Sequence, residues 1–436
     1  MKILKTSDKN FSKTWETLLK RSSETPQKIE KLVSHVLHDV RRNGDEALRR
    51  YTKKFEGHTP RNFEVSTTEI RKAERQVGRA ELASLKLAAV RIRRFHELQL
   101  KSLGRSWRIR KNGEILGEQI LPIDRAGIYV PGGLAAYPST VLMNTIPAKV
   151  AGVREVIMVS PWSGGRVNPY TLVAAKLAGV DRIFKLGGAQ AIAALAYGTK
   201  SIPTVDKIVG PGNIFVATAK RLVFGQVGID SVAGPTEIVV VADDSANADY
   251  VASDLLSQAE HDPLASPILV TNSEKLVSGV SVALMRQLAS LERGAILEKA
   301  LRGQGLVILT RHTRESLSIA NDLAAEHLSL QIRSASQAAS KIQNAGAIFI
   351  GPFSPVAYGD YIAGPNHVLP TLRNARFSSP LSVFDFVKRS SVLEFSKKSF
   401  TKLAPHVIRL ARLEGLTAHA ASVEIRLNRR PNKFGG

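Results

Sequence analysis

Between residues 150 and 351 the chain alternates short apolar runs with longer segments of helical period, and this alternation restricts the fold more than any other feature. The runs are VREVIMVS (153–160), DRIFKLG (181–187), DKIVG (206–210), EIVVVAD (237–243), PILVT (267–271), GLVILT (305–310) and GAIFIG (346–351). Short, bounded and rich in β-branched residues, they read as strands buried on both faces. Segments such as YTLVAAKLAG, AQAIAALAYG and IFVATAKRLVFG lie between them and read as helices. The repetition predicts an α/β fold with largely parallel sheets and active-site loops at the carboxyl ends of strands. So many strands exceed one nucleotide-binding half, which predicts two sheets of similar build, divided near Gly234-Pro235.

The flanks read differently. Residues 10–100 form charged segments with a 3.6-residue apolar period: FSKTWETLLKR, TPQKIEKLVSHVLHDVRRNGDEALRRYTKKF and TTEIRKAERQVGRAELASLKLAAVRIRRFHELQL. Pro26 suits a helix start, with Thr25 before it as the expected N-cap. Residues 105–120 alternate in character and predict a hairpin. Residues 126–133, AGIYVPGG, read as a buried strand ending in a glycine turn.

Composition removes several chemistries. The chain has no cysteine, which excludes disulfides, iron–sulfur clusters, thiolate zinc sites and a cysteine nucleophile. No apolar run approaches the roughly 18–20 residues of a membrane span. The N-terminal stretch lacks the apolar core of a signal peptide, so a cytoplasmic protein is expected. The net charge of +23 sits at the two ends: residues 1–120 hold 28 Lys and Arg against 15 Asp and Glu, and residues 371–436 hold 13 against 4. These charges are dispersed without interleaved aromatic platforms or a recognition-helix motif, so nucleic acid is not an expected partner.

Four polar clusters stand out against the apolar scaffold. Gln258 and His261 are three residues apart at a predicted helix end; they either face one metal ion or are a polar helix terminus with a His favoured by the dipole. Glu326 and His327 are adjacent, either sharing the activation of a water or serving as a cap and a strand residue. Asp360 and His367 lie in the polar, glycine-rich loop YGDYIAGPNH, where function is commoner than in a core. Glu414 and His419 stand near the C-terminus. Gln, His, Asp and His together make an N/O set suited to zinc or a similar divalent ion. The turn Gly210-Pro211-Gly212-Asn213 is nearest to a phosphate-binding fingerprint, and equally a tight strand–helix turn.

These clusters, with AGIYVPGGLAAYPSTVLMNTIPAKVAGV, KLGGAQAIAALAYGT, DKIVGPGNIFVATAKRLVFGQVGID, AGPTE, FSSPLSVFDFVKR and GLTAHAASVEIR, resemble the histidinol dehydrogenase family over essentially the whole chain. The resemblance implies oxidation of L-histidinol to L-histidine via L-histidinaldehyde with two NAD, the last step of histidine biosynthesis. It implies one zinc per subunit on Gln258, His261, Asp360 and His419, and a catalytic pair of Glu326 and His327. Substrate contacts would be Thr236, Gln258, His261, His327, Asp360, His367, Glu414 and His419, and NAD contacts Tyr129, Gln190 and Asn213. The implied assembly is a homodimer with shared active sites, the tail carrying Glu414 and His419 into the partner's site.

The implied architecture is two incomplete Rossmann-like parallel-sheet domains plus helical N-terminal and extended C-terminal dimerisation segments. Residues 1–24 with 105–126 would form a small N-terminal element, 25–104 with 237–378 the metal and catalytic domain, 127–236 the NAD domain, and 379–436 the tail. The chain departs from the family's usual residues at Thr236 (Ser), Ala325 (Pro), Ser329 (often Glu) and Pro380 (Gly), and none of these removes a ligand or catalytic group. A related zinc- and NAD-dependent dehydrogenase of another amino or sulfonated alcohol is the alternative reading.

Overall fold

The computed structural model describes residues 1–19, 26–132, 137–162 and 167–427. Thr25 and Gly133 lie outside the described residues. The described strands are β1 (Lys2–Lys5), β2 (Trp107–Lys111), β3 (Glu114–Pro122), β4 (Arg125–Tyr129), β5 (Glu155–Ser160), β6 (Arg182–Lys185), β7 (Lys207–Val209), β8 (Gly228–Ile229), β9 (Glu237–Ala242), β10 (Ser266–Thr271), β11 (Leu306–Leu309), β12 (His327–Gln331), β13 (Ala347–Ile350) and β14 (Val387–Phe395).

The chain divides into two compact units, and the larger, Met1–Ser102 with Ile123–Phe386, holds both parallel sheets. One is six-stranded in the order β1-β11-β10-β9-β12-β13, the other five-stranded in the order β6-β5-β4-β7-β8. All registered neighbours in both sheets run parallel. The α/β expectation therefore holds, and the change of sheet falls between β8 and β9. Every residue of β10 and β12 is buried, as continuous apolar runs require when helices cover both faces.

Three local expectations change. Residues 2–5 do not join 105–126; β1 pairs in parallel with β11 and completes an edge of the six-stranded sheet, with Ile3 opposite Val307. Pro26 is itself the N-cap of helix Gln27–Glu56, its missing N–H costing nothing there. The segment TTEIR…LQL is two helices, Thr67–Glu74 and Arg79–Leu103. A capping box starts the first: the Ser66 hydroxyl accepts from Glu69 N at 3.2 Å and the Glu69 carboxylate accepts from Ser66 N at 2.9 Å.

The smaller unit, Leu103–Pro122 with Val387–Gly436, is built on an antiparallel sheet in the order β14-β3-β2, followed by helices Lys397–Leu413 and Thr417–Leu427. Opposed residues in the ladders place Trp107, Ile109, Leu116, Leu393 and Phe395 on one face of this sheet, and all five are exposed. No helix among the described residues is long and apolar enough to cross a membrane.

One buried carboxyl sits between the six-stranded sheet and helix Ala248–Ala259. Asp254 is 5% exposed, and its Oδ2 accepts from Gln331 Nε2 at 2.7 Å and, at a long 3.5 Å, from Ser329 Oγ. Burial pushes its pKa up from 3.8 to about 6, against those two hydrogen bonds. Between about pH 4 and 6 the folded chain thus keeps a proton that the unfolded chain has lost, so this group's contribution to stability falls as pH rises through that window. Asp254→Asn is expected to be more stable than wild type above pH 6 by about 2–3 kcal/mol, an advantage that vanishes below about pH 4. Urea midpoints of both proteins across pH 4–8 test this; a pH-independent difference would show that Asp254 does not titrate there.

Candidate active site

The acid–base residues gather at the amino edge of the six-stranded sheet, not at the carboxyl ends expected from the α/β pattern. Thr236 immediately precedes β9 and Glu326 immediately precedes β12, whose first residue is His327. Helix Ala248–Ala259 connects β9 to the parallel neighbour β10, so its last turn, with Gln258, returns to the edge where the strands begin. Helix Val356–Tyr361, after β13, carries Asp360. The turn into β12 is made by Ala324, a non-glycine residue in the left-handed region with φ 45°, ψ 51°. Gly346 is required beside it, since a Cβ there would lie 2.5 Å from the Glu326 carbonyl oxygen.

Thr236 Oγ1 lies 2.6 Å from Glu326 Oε2 and 2.9 Å from Gln258 Oε1. Glu237 N–H donates to the same Glu326 oxygen at 2.9 Å. Burial raises the Glu326 pKa, against the nearby His327 and these two bonds. His327 Nδ1 is 3.0 Å from the Glu237 carbonyl and donates to it, so the proton gained or lost when the ring titrates is the one on Nε2. That Nε2 is buried with no hydrogen-bond partner and stands 3.8 Å from Asp360 Oδ1. Burial opposes charging His327, but Glu326 and Asp360 outweigh it and push its pKa up to about 9. Burial also opposes the Asp360 carboxylate; His327, His367 and His261 nevertheless hold its pKa below the ordinary value. His367 is turned by a contact of 3.0 Å from its Nδ1 to the Asp360 carbonyl, and burial lowers its pKa. Asp360 and His367 line a cavity of about 660 Å³ whose wall also includes Phe95, Phe349 and Pro380.

The expected metal ligands divide between the two units. Gln258, His261 and Asp360 belong to the larger; His419 and Glu414 belong to the smaller and are exposed. His261 is not on the helix with Gln258. The helix ends at Ala259, and a turn closed by His261 N–H on the Gln258 carbonyl (3.2 Å) carries the His. Among the described residues no three His, Cys, Asp or Glu side chains stand close enough to hold a metal ion. The expected set does not demand such a trio in one unit, because one member is an amide and another lies in the smaller unit.

The donor chemistry fits a divalent cation. Thr236 has one hydroxyl proton and two acceptors in reach, so when it donates to the Glu326 carboxylate, the Gln258 amide must present its N–H₂ to Thr236. The other end of that buried amide has no partner, and in this orientation it is the carbonyl oxygen, a hard donor on the side left open. Glu260 caps the end of the Gln258 helix, its N–H bonded to the Leu256 carbonyl at 3.1 Å.

Tyr129, Gln190 and Asn213 lie apart from these groups, at the carboxyl edge of the five-stranded sheet. There β5 and β6 extend from one side of β4 and β7 from the other, a switch of strand order that opens a crevice between β4 and β7. Tyr129 ends β4, and its hydroxyl accepts from Gly188 N–H at 3.2 Å. Gln190, 1% exposed, has neither amide atom hydrogen-bonded. Asn213 caps helix Ile214–Val223 by accepting from Phe215 and Val216 N–H at 3.1 and 3.2 Å. The turn before it passes so close to β4 that a Cβ on Gly210 (φ +112°) would lie 2.2 Å from the Tyr129 carbonyl oxygen. Buried Lys220 and Asp230 clamp this turn: Lys220 Nζ donates to the Gly210 carbonyl at 2.8 Å, Asp230 accepts from Gly210 N–H at 2.8 Å, and the two side chains pair. A buried amide without partners beside a glycine turn at a helix N-terminus fits a dinucleotide.

Two contributors escaped the sequence patterns. Glu237 acts through its backbone, its N–H on Glu326 and its carbonyl on His327, which no side-chain motif encodes. Asp254, one turn before Gln258 on the same helix and bonded to Gln331 of β12, shows only as a polar residue on the inner face of a helix.

A model of the family described as histidinol dehydrogenase matches residues 19–427. A histidinol dehydrogenase from Geobacter metallireducens is 50% identical over 431 residues, 98% of each chain. One from Aquifex aeolicus is 48% identical over 98% of this chain and 99% of its own. The crystal structure of histidinol dehydrogenase from Elizabethkingia anophelis superposes with a TM-score of 0.90 at 35% identity, covering 98% of both chains.

Proposed function

Because the chain belongs to the histidinol dehydrogenase family, we propose that it oxidises L-histidinol to L-histidine through L-histidinaldehyde, with two NAD and one zinc per subunit, as a cytoplasmic homodimer. The observation that carries this reading is the buried Glu326–His327 pair, each side chain oriented by the start of β9. Gln258, His261 and Asp360 would hold the zinc together with His419 of the partner subunit; Thr236 and His367, with the partner's Glu414, would complete the substrate pocket. When bound, zinc supplies a Lewis acid that orients the amino alcohol, and NAD supplies the hydride acceptor.

The proton chemistry falls to the chain's own residues. His327 Nε2 is placed to take the alcohol proton as the carbonyl forms, which requires the neutral ring; a cation held by Asp360 would offset the carboxylate charge that raises the His327 pKa and so favour that form. Glu326 takes a proton from the water that adds to the aldehyde, and burial, by raising its pKa, makes it a stronger base than a solvated carboxylate. Thr236 and Glu237 N–H hold the Glu326 carboxylate while it works. Neither oxidation needs a thiol, in keeping with a chain that has no cysteine.

The smaller unit supports the homodimer. It leaves five large apolar side chains in water on one sheet face and buries few residues, Ile115, Ala404, Ala411 and Ala420 among them. A contiguous apolar face of this kind marks a protein contact, and a second copy is the partner the family resemblance supplies.

Purified zinc-loaded protein given L-histidinol and NAD is expected to form two NADH per histidine, to lose activity on chelation and to regain it with zinc. Absence of turnover with zinc bound would sink the reading, and turnover of another amino alcohol instead would favour the related dehydrogenase. Glu326→Gln is expected to lower the rate by about 10²–10⁴-fold, and Glu260→Gln to change it little; equal losses would overturn the role assigned to Glu326. Heterodimers of His261→Asn and His419→Asn subunits, each inactive alone, are expected to recover one intact site. Verified heterodimers without recovery would refute the shared site.

A further inference from the structure

The helix Gln27–Glu56 ends beside the five-stranded sheet, and its last residue bridges two loops at the carboxyl edge. Glu56 Oε2 accepts from Trp162 N–H at 3.2 Å, in the loop after β5, and Oε1 accepts from Gly187 N–H at 3.0 Å, in the loop after β6. Pro161 packs between these loops. A Cβ on Gly187 would lie 2.4 Å from Pro161 Cγ and 3.3 Å from Glu56 Oε1, and one on Gly132, beyond β4, 3.0 Å from Pro161 Cβ. Three strand ends thus converge on one contact, with the carboxylate tying two of them.

The tie continues into the crevice. Gly187 is the N-cap of helix Gly188–Tyr197; the next N–H, of Gly188, donates to the Tyr129 hydroxyl, and Gln190 stands in the first turn. From these contacts we propose that Glu56 is a positioning residue of the dinucleotide site, setting the strand-to-helix turn that fixes the Tyr129 hydroxyl and the Gln190 amide. The inference rests on the reading of this edge as the NAD site. Both carboxylate oxygens are engaged by backbone donors, so Glu56 is not itself aimed at a ribose hydroxyl. Burial pushes its pKa upward while the two N–H groups and His58 favour the charged form.

Glutamine cannot replace this group. It offers one acceptor, and its N–H₂ would face either Trp162 N–H or Gly187 N–H, a donor against a donor. Aspartate keeps both acceptors on a stem one methylene shorter. Losing a charge-assisted bond at the turn is expected to weaken NAD binding about 10- to 100-fold in Glu56→Gln, with Glu56→Asp between it and wild type. The KM for histidinol and the thermal midpoint should move little.

The test is titration of wild type, Glu56→Gln and Glu56→Asp with NAD by calorimetry, together with KM for each substrate. Wild type that does not bind NAD would remove the cofactor reading itself. Wild type that binds NAD while Glu56→Gln binds equally well would overturn the role of Glu56 alone. Parallel loss of kcat, both KM values and thermal midpoint in Glu56→Gln and Glu56→Asp would make Glu56 a purely structural residue and also overturn it.

Discussion

Thr236 has one proton to give, and two side chains stand within reach of it. Glu326, buried and partly held by Glu237 N–H, has the stronger claim as a carboxylate. That choice requires the Gln258 amide to present its N–H₂ to Thr236, and with the amide so assigned the buried end without a partner is its oxygen. The cost of an unpaired buried acceptor, about 1–3 kcal/mol, is tolerable only if something fills the gap in the working enzyme. His327 Nε2 is likewise buried without a hydrogen-bond partner, since the Glu237 carbonyl engages only Nδ1. The unsatisfied atoms are therefore readable as the negative image of a ligand.

The two parallel sheets use opposite edges. In the five-stranded sheet the polar groups sit where strands end, at the crevice made by the change of strand order. In the six-stranded sheet they sit where strands begin, because helices that run back against the sheet bring their last turns to that edge. One scaffold thus supplies helix N-termini, suited to phosphate, at the first place, and converging side chains suited to proton transfer at the second.

Much of this was legible in the chain. The apolar runs located most strands of both sheets, and the polar clusters pointed to Gln258, Glu326, His327 and Asp360. What was hidden depends on non-local backbone. Nothing in KILK announces that β1 will pair with Leu306–Leu309, since an edge strand need not be uniformly apolar. The amino-edge location was misread because the rule of carboxyl-end sites concerns loops after strands and ignores the far ends of the helices. The position of His261 outside the helix is a matter of two residues, below what periodicity can resolve.

The antiparallel sheet of the smaller unit carries a temporal meaning. Its strand β3 pairs along its whole length with β14, Glu114 opposite Phe395 and Pro122 opposite Val387. Everything from Ile123 to Phe386 is made between the two. During synthesis the hairpin β2–β3 must therefore wait as a two-stranded ribbon, with the β3 edge still unpaired, until the larger unit has emerged. A ribbon of that size is marginal in water, and an open edge is a template for wrong pairing. The three positive charges of Arg108, Arg110 and Lys111 on the outer strand repel a second copy of the ribbon during that interval. The last strand to arrive is thus the one that pairs the waiting edge of β3, and the order of the gene becomes the order of assembly.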